Sequence, residues 1–540
     1  MEKTTNISFA NPTQLKMDNV QKLGLGLALA GAAIIFIAWF GVTFPNPHLV
    51  LTFTLLSIVI GTTIYARRTY LKQPEGIKNN GVWFNSLTNK GVLGWAFGIL
   101  LTLFYVFLYW WPQYVGLGQN GAANVGLVAL FDPLAMFFSG KPASQWFVYG
   151  TLYTTLILGL GIKFIYKYRH NRYQVIRTIS IIIFQLFFAY LIPEVLSGFN
   201  ADLPYFSRDL KNVWPLNAYF AEPWYLDGIQ ATQKVGPSGM FYFLVGVLMF
   251  LVVTPVLTYY VGKRWYCSWV CGCGGLAETA GDPFRQLSSK KMSAWKIERW
   301  LIHVIMVFVL VMTIASFYSY FSEKEFVLKW SLSPDLIIHR TNYFIATLIL
   351  MGGALGASFY YGNKRKNKWI MTAGVIFSII FLLLTIAFIS GSNQVFFIES
   401  SVLRKHYGFY VGSMFSGVIG VGFYPMLGNR VWCRFGCPMA GYMGLFQRIK
   451  SRFRITTNGG QCISCGNCST YCEQGIDVRS YAQKGQNIVR ASCVGCGVCS
   501  AVCPRGVLKL ENGSNDDETR MKESPITLGN DVDLIKMLKK

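Results

Sequence analysis

The sequence CISCGNCSTYC occupies residues 462–472, and CVGCGVCSAVC follows at residues 493–503. Both stretches have the spacing C-x2-C-x2-C-x3-C, and both lie near the end of a 540-residue chain. This spacing is typical of [4Fe–4S] cubes, where three thiolates come from one tight loop and the fourth from the other run. Structural zinc sites use paired C-x2-C motifs, and a disulfide framework is the other alternative. The pattern favours iron–sulfur binding over both.

The crossed pattern predicts two [4Fe–4S] sites with four cysteines each. One site takes Cys462, Cys465, Cys468 and Cys503, and the other takes Cys472, Cys493, Cys496 and Cys499. Glycines inside the runs, at Gly466, Gly495 and Gly497, let the backbone wrap closely around a cofactor. The second run is followed by Pro504, whereas Glu473 follows the first run.

The rest of the chain has a membrane composition. It is 53% hydrophobic and only 14% charged, below the share of about 25% that is usual in soluble domains. A membrane-spanning helix needs about 20 mostly apolar residues. Ten stretches qualify, at residues 23–44, 49–66, 92–111, 146–165, 176–196, 239–260, 301–320, 343–361, 369–390 and 408–427. We therefore expect an all-α polytopic membrane protein of about ten transmembrane helices with a small α+β ferredoxin-like C-terminal domain.

The net charge of +24 indicates topology and not nucleic-acid binding. Lysines and arginines concentrate in alternate loops, at residues 67–90, 163–177, 263–299 and 364–368. Such loops stay in the cytoplasm. All 13 cysteines lie in segments on that same side, as expected for reduced thiols. The pattern predicts a multi-pass protein of the bacterial inner membrane, with both termini and the ferredoxin domain in the cytoplasm.

A second repeat lies where the sixth and tenth stretches end. GKRWYCSWVCG at residues 262–272 aligns with GNRVWCRFGCP at residues 428–438, and each carries a Cys-x3-Cys pair. Residues i and i+4 share a helix face, so each pair can offer two thiolates to one ligand. The four cysteines, Cys267, Cys271, Cys433 and Cys437, suit a third iron–sulfur cluster or Cu(I).

The alternative for these four residues is two buried, redox-inert cysteine pairs. Arg264 and Arg430 precede the pairs and are expected to favour ionised thiolates. Cys273 has no assigned role.

Five segments follow from these features. Residues 1–22 form a cytoplasmic N-terminal segment, and residues 23–238 form a first membrane region with an outer loop at 193–237. Residues 239–450 form a second membrane region with the two Cys-x3-Cys pairs. Residues 451–510 form the two-cluster domain, and the charged residues 511–540 are expected to be disordered. Residues 129–142 are too short to span a membrane and are expected to be re-entrant or to lie on the surface.

The Cys-x3-Cys pairs at span ends, followed by two ferredoxin runs, resemble the NosR/NapH/CcoG class of membrane polyferredoxins over residues 241–510. That resemblance implies electron transfer between a quinone pool, or a cytoplasmic donor, and a respiratory partner such as nitrous oxide reductase or nitrate reductase. Its CcoG branch implies copper reduction during oxidase assembly instead. The family's proline is present at Pro438, but Gly272 stands at the equivalent place in the first repeat.

Three functions remain open at this stage: a respiratory electron-transfer protein, a copper reductase or assembly factor, and an iron–sulfur redox sensor. Whether the chain is itself an enzyme or only an electron-transfer component is left open. All predicted cluster sites lie on one side of a hydrocarbon core about 30 Å thick, so a quinone or another redox partner protein must complete any route across it. No nucleotide-binding motif and no nucleic-acid partner are predicted.

Overall fold

The computed structural model describes residues 17–71, 88, 90–199, 213–217, 222–233, 238–329, 335–364, 366, 368–396, 398–458, 461–513, 527–528 and 532–533. In this part of the chain, nine helices are long and apolar enough to cross a membrane. They are Asn19–Trp39, Pro47–Tyr70, Val92–Trp110, Gln145–Lys167, Arg172–Phe199, Phe243–Val261, Met292–Glu323, Arg340–Lys364 and Ile370–Ile389. The predicted class, a polytopic helical membrane protein, is confirmed.

The tenth predicted span, at 408–427, is the one that differs. Helix Ser400–Tyr407 continues without a break into a π-type helix, Gly408–Ile419. This combined helix is not among the nine candidate membrane spans. Its first turns carry Arg404, Lys405 and His406. A turn and the short helix Tyr424–Leu427 follow, so the predicted stretch starts too late and merges two helices.

Shorter elements connect and cover the long helices. They are the helices Pro112–Val115, Gly126–Ser139, Pro223–Gln233, Arg264–Cys267, Gly272–Thr279, Asp282–Leu287, Trp432–Gly436 and Pro438–Lys450, and the paired strands Phe326–Leu328 and Leu336–Ile338. Helix Gly126–Ser139 contains Pro133, and Leu127, Val128, Leu130 and Phe131 are buried on it. In the segment 129–142, Leu130, Phe131 and Ala135 are buried whereas Met136 and Phe137 are exposed. One face of the segment therefore packs against the protein, and its re-entrant or surface location stays a prediction.

Close helix contacts hold the segments that carry the Cys-x3-Cys pairs. A side chain at Gly275 would lie 2.4 Å from Ile181, so helix Gly272–Thr279 approaches the Arg172–Phe199 span closely. A side chain at Gly441 would lie 2.7 Å from Met306, so helix Pro438–Lys450 approaches Met292–Glu323 in the same way. Small residues permit such contacts between membrane helices.

The C-terminal domain has the expected α+β character. Strands Phe453–Thr457 and Leu508–Asn512 pair antiparallel, and the short helices Asn467–Thr470, Val478–Gln483 and Val498–Ala501 lie between them in the sequence. Two-residue strands at Thr527–Leu528 and Val532–Asp533 also pair. Residues 511–512, 527–528 and 532–533 thus form strands within the segment 511–540 expected to be disordered. The predictions for the rest of residues 514–540, for residues 1–16 and for most of the outer loop lie outside the described residues.

Candidate iron–sulfur centres

Cys462, Cys465, Cys468 and Cys503 line one cavity, and we name them the distal group. Gly466, at φ +78°, begins the short helix that carries Cys468. The pKa of Cys468 is raised to about 12 by burial and then by the other three thiols of the group. A cavity ringed by four thiols from two runs fits a [4Fe–4S] cube, which takes four thiolate ligands.

Cys472, Cys493, Cys496 and Cys499 form a second set, the proximal group. Burial raises the pKa of Cys499 well above its ordinary value, and the thiols of Cys496, Cys472 and Cys493 raise it further. Gly497, at φ +73°, begins the helix that carries Cys499, as Gly466 does in the first run. The four thiols of the distal group thus share a cavity, and the thiols of the proximal group influence one another. The binding of clusters by either set stays a prediction.

The loop of the proximal group is anchored to the membrane region by four side chains. Their donors meet four consecutive carbonyl groups: Gln447 Nε2 to Cys493 O at 2.8 Å, Ser268 Oγ to Val494 O at 2.8 Å, Tyr173 OH to Gly495 O at 2.7 Å and Gln174 Nε2 to Cys496 O at 2.9 Å. The peptide oxygens of the loop thus face the membrane region. The proximal group is the one held against the helix ends.

The two Cys-x3-Cys pairs also come together. Cys267, Cys271, Cys433 and Cys437, named the pair site here, are buried in one packed cluster with Trp265, Tyr266, Trp432, Met439, Met443 and Val494. The pKa of Cys437 is raised well above its ordinary value by burial and then by the other three thiols. Because Val494 also belongs to the proximal loop, the pair site and the proximal group are in contact through packed side chains.

The expected helix-face geometry of each pair is wrong. Cys267 ends a short helix, whereas Cys271 is extended (φ −67°, ψ 125°) and precedes the next helix. Cys437 is extended in the same way (φ −80°, ψ 113°). The N–H groups of Cys271 and Cys437 both bond to the carbonyl five residues earlier, at 2.8 and 2.9 Å. Pro438 disfavours a helical conformation at Cys437, and the first repeat keeps that conformation with Gly272.

The two arginines before the pairs have different roles. Arg430 Nη1 lies 3.5 Å from Cys433 Sγ, as expected for a thiolate partner. Arg264 instead packs its guanidinium over the rings of Phe453 and Trp269 and donates to Asn512 Oδ1 at 2.9 Å. Burial raises the pKa of Cys267 to about 12, and Lys263 is the first of the cations that oppose this shift. Through its contacts with Phe453 and Asn512, Arg264 holds the C-terminal domain.

Sequence reasoning missed a cavity beside the pair site. It measures about 50 Å³ and is lined by Cys273 and Cys433 and by the tyrosines Tyr109, Tyr149, Tyr153 and Tyr424, among others. A buried water needs about 10–15 Å³, so the cavity has room for a few water molecules. Cys273, which has no role in the sequence analysis, is exposed and is one of the residues that line it.

Sequence reasoning also missed a buried ion network at the junction of the two regions. Its members are Lys167, Arg177, Glu278, Asp282, Arg285, Arg430 and Glu473, and their side chains are at most 3% exposed. Burial alone would raise the pKa of Glu473, but Arg430 and Arg285 outweigh burial and hold it at about 2. The available signal was Glu473 itself, a carboxylate where the other run has Pro504.

Among the described residues, no three Cys, His, Asp or Glu side chains are close enough to hold a single metal ion. The distal group, the proximal group and the pair site each consist of four cysteines. Four cysteines in buried surroundings fit an iron–sulfur cube better than a single metal ion that prefers nitrogen or oxygen ligands.

Two family models match the chain. A "4Fe-4S dicluster domain" matches residues 461–508. A "4Fe-4S binding domain" matches twice, at residues 243–292 and 410–456. Each of these two matches contains one Cys-x3-Cys pair. The chain thus contains 4Fe–4S binding domains joined to a region with many membrane-spanning helices.

A segment of 55 residues is 36% identical to YccM of Escherichia coli (strain K12), described as an electron transport protein. The aligned segment covers 10% of this chain and 15% of that protein. No solved structure was found to match the chain. These findings support the broad polyferredoxin resemblance and do not select among the NosR, NapH and CcoG branches.

Proposed function

We propose that this chain is a membrane-bound electron-transfer protein with three [4Fe–4S] centres, at the distal group, the proximal group and the pair site. A cube of this kind supplies one-electron redox chemistry when it is bound. The observation that carries the proposal is the contact between Ser268 and Val494: Ser268 follows Cys267, Val494 follows Cys493, and the hydroxyl and carbonyl oxygens are 2.8 Å apart.

The order of the three centres follows from the anchoring of the domain. The pair site lies at the helix ends, and four hydrogen bonds hold the proximal loop against the membrane region. Three cysteines of the distal group are partly exposed, Cys462, Cys465 and Cys503, against two in the proximal group, Cys472 and Cys496. Ile463, between Cys462 and Cys465, is 48% exposed. A soluble partner therefore meets the distal group first, and a membrane-soluble carrier such as a quinone meets the pair site first. The protein residues fix these positions and bury the four thiols of the pair site.

In this proposal the chain lies in the bacterial inner membrane with its C-terminal domain on the cytoplasmic side. A quinone pool or a cytoplasmic donor is one of its two electron-transfer partners. A respiratory reductase, for nitrous oxide or nitrate, is the acceptor that the NosR and NapH resemblance suggests. Copper handling of the CcoG kind is the alternative, because the pair site consists of four soft ligands; it requires them to move closer together, since no three of the described cysteines lie close enough to hold one ion.

Metal analysis of the protein purified without oxygen tests this proposal. Three [4Fe–4S] centres predict about twelve irons and as many acid-labile sulfides per chain. Cys496→Ser should lose about four irons from the proximal group, and Cys273→Ser is the matched control that should lose none. Copper at the pair site with eight irons elsewhere would favour the copper alternative. Stoichiometric zinc without iron would exclude both.

A further inference from the structure

The buried ion network joins two of the proposed centres through two side chains. Glu473 directly follows Cys472 of the proximal group. Its Oε2 lies 2.6 Å from Arg285 Nη1, and its Oε1 lies 3.0 Å from Arg430 Nη2. Asn429 Nδ2 donates to the same carboxylate at 3.3 Å. Both carboxylate oxygens are therefore paired inside the protein, next to a cluster ligand.

Arg430 extends this connection to the pair site. Its Nη2 donates to Glu278 Oε1 and forms the longer ion pair with Glu473 Oε1. Its Nη1 lies 3.5 Å from Cys433 Sγ and donates to Cys267 O at 3.3 Å. One guanidinium thus contacts a ligand of the pair site, the backbone of a second ligand and the neighbour of a proximal ligand. Its side chain is fully buried.

The charges of the network do not cancel. It contains four cations, Lys167, Arg177, Arg285 and Arg430, and three carboxylates, Glu278, Asp282 and Glu473. A centre held by thiolates becomes more negative on reduction, and nearby charge and hydrogen bonds to its sulfurs set its reduction potential. Buried charges act strongly because the low dielectric of the interior screens them little.

We infer that Arg430 and Glu473 are positioning residues that set the reduction potentials of the pair site and the proximal group relative to each other. Arg430 favours the reduced state of the pair site, and Glu473 limits this effect and opposes reduction of the proximal group. The inference rests on the proposed function, because it requires iron–sulfur centres at both places.

Redox titrations followed by electron paramagnetic resonance test the inference on the full-length protein. Arg430→Gln should lower the midpoint potential of the pair site, and Glu473→Gln should raise that of the proximal group. We expect at least a tenfold change in the ratio of reduced to oxidised centre at fixed potential, which is 59 mV for one electron. Arg430→Lys, which keeps the charge, should return the potential towards the wild-type value.

Asp132→Asn is the control, because Asp132 is a carboxylate on helix Gly126–Ser139 that accepts from Asn124 Nδ2 at 2.7 Å and from the N–H of Ala143 at 2.8 Å, outside the network. In this control variant, the midpoint potentials of the pair site and the proximal group should stay within the wild-type range. Unshifted potentials, or shifts of the same sign in Arg430→Gln and Glu473→Gln at full iron content, would overturn the inference. Loss of iron in Glu473→Gln while Asp132→Asn stays loaded would assign the Glu473 carboxylate a structural role and also overturn the inference. A wild-type protein without iron would instead overturn the proposed function.

Discussion

At the scale of single residues, the conformation of two cysteines decides how the pair site is built. Cys271 and Cys437 leave the helix and adopt extended backbone, so each Cys-x3-Cys pair bridges the junction between two helices. The first repeat needs glycine three residues after its second cysteine, because a side chain at Gly274 would lie 2.1 Å from Cys267 O. The second repeat has Ala440 at the equivalent position, with its N–H 3.4 Å from Cys437 Sγ.

Gly274→Ala should therefore disturb the pair site selectively. The clash is with backbone, which must shift, and overpacking of this kind costs about 1–3 kcal/mol. That cost exceeds the gain of up to about 1 kcal/mol that alanine brings to a helix interior. We expect a lower melting temperature and a loss of about four irons, while the C-terminal groups stay loaded.

The matched control for this glycine is Gly356→Ala in helix Arg340–Lys364. No atom lies within 4 Å of a side chain added there, so only the helix preference acts. The melting temperature should stay the same or rise, and the iron content should not change. Equal effects of the two substitutions would contradict the steric explanation.

Removing a single pair-site thiol should separate the pair site from the other two centres. Cys267→Ser or Cys437→Ser should abolish electron transfer through the chain and leave about eight irons in the C-terminal domain. Cys273→Ser, which changes the cysteine that belongs to none of the three groups and keeps a hydroxyl to bond Cys271, should keep transfer. Full transfer in the Cys437→Ser protein would show that the four cysteines only pack.

At the scale of elements, the junction between the membrane region and the C-terminal domain depends on helix Pro438–Lys450. Gln447, on this helix, is 1% exposed. Its Nε2 donates to Arg490 O at 2.7 Å and Cys493 O at 2.8 Å, and its Oε1 accepts from the N–H of Lys263 at 2.8 Å. One side chain thus ties both repeats to the proximal loop.

Gln447→Leu should loosen this junction. It leaves three backbone groups without their partner, and each unsatisfied buried group costs about 1–3 kcal/mol. Limited proteolysis should then cut the C-terminal domain faster, and the melting temperature should fall. Gln483→Leu removes an exposed amide that contacts Ser464 and is the control. Unchanged protection of the Gln447→Leu protein would refute the role of this side chain.

Much of this organisation was accessible from the sequence, for physical reasons that differ by element. Long apolar helices and the crossed cysteine runs depend on local composition and spacing, and their patterns predict them directly. The conformation of Cys271 and the separate roles of Arg264 and Arg430 depend on tertiary packing. The buried network was hidden because its charges are distributed from Lys167 to Glu473, in segments that look like ordinary basic loops and turns.

At the scale of the whole molecule, the number of membrane crossings depends on the segment between Ser392 and Arg434. Ser392 O accepts a hydrogen bond from Tyr318 OH, near one end of helix Met292–Glu323. Arg434 pairs with Glu298, near the other end. The 20 residues between these two positions on the helix span about 30 Å at 1.5 Å per residue. That distance equals the thickness of the hydrocarbon core.

We therefore expect the chain from Ser392 to Arg434 to cross the membrane once, through helix Ser400–Ile419, although this helix is not among the nine candidate spans. Ten crossings then put residues 17–18 and the C-terminal domain on the same side, and the Lys- and Arg-rich loops predict that this side is the cytoplasm.

Reporter fusions test the prediction. A fusion after Ser390 should be active as an extracytoplasmic reporter, and a fusion after Lys450 should be active as a cytoplasmic one. The paired control is a fusion after Lys366, which should also be cytoplasmic because it precedes the span that ends at Ile389. If the fusions after Ser390 and Lys450 report the same side, the segment does not cross, and the C-terminal cysteine groups would face the opposite compartment from the one proposed.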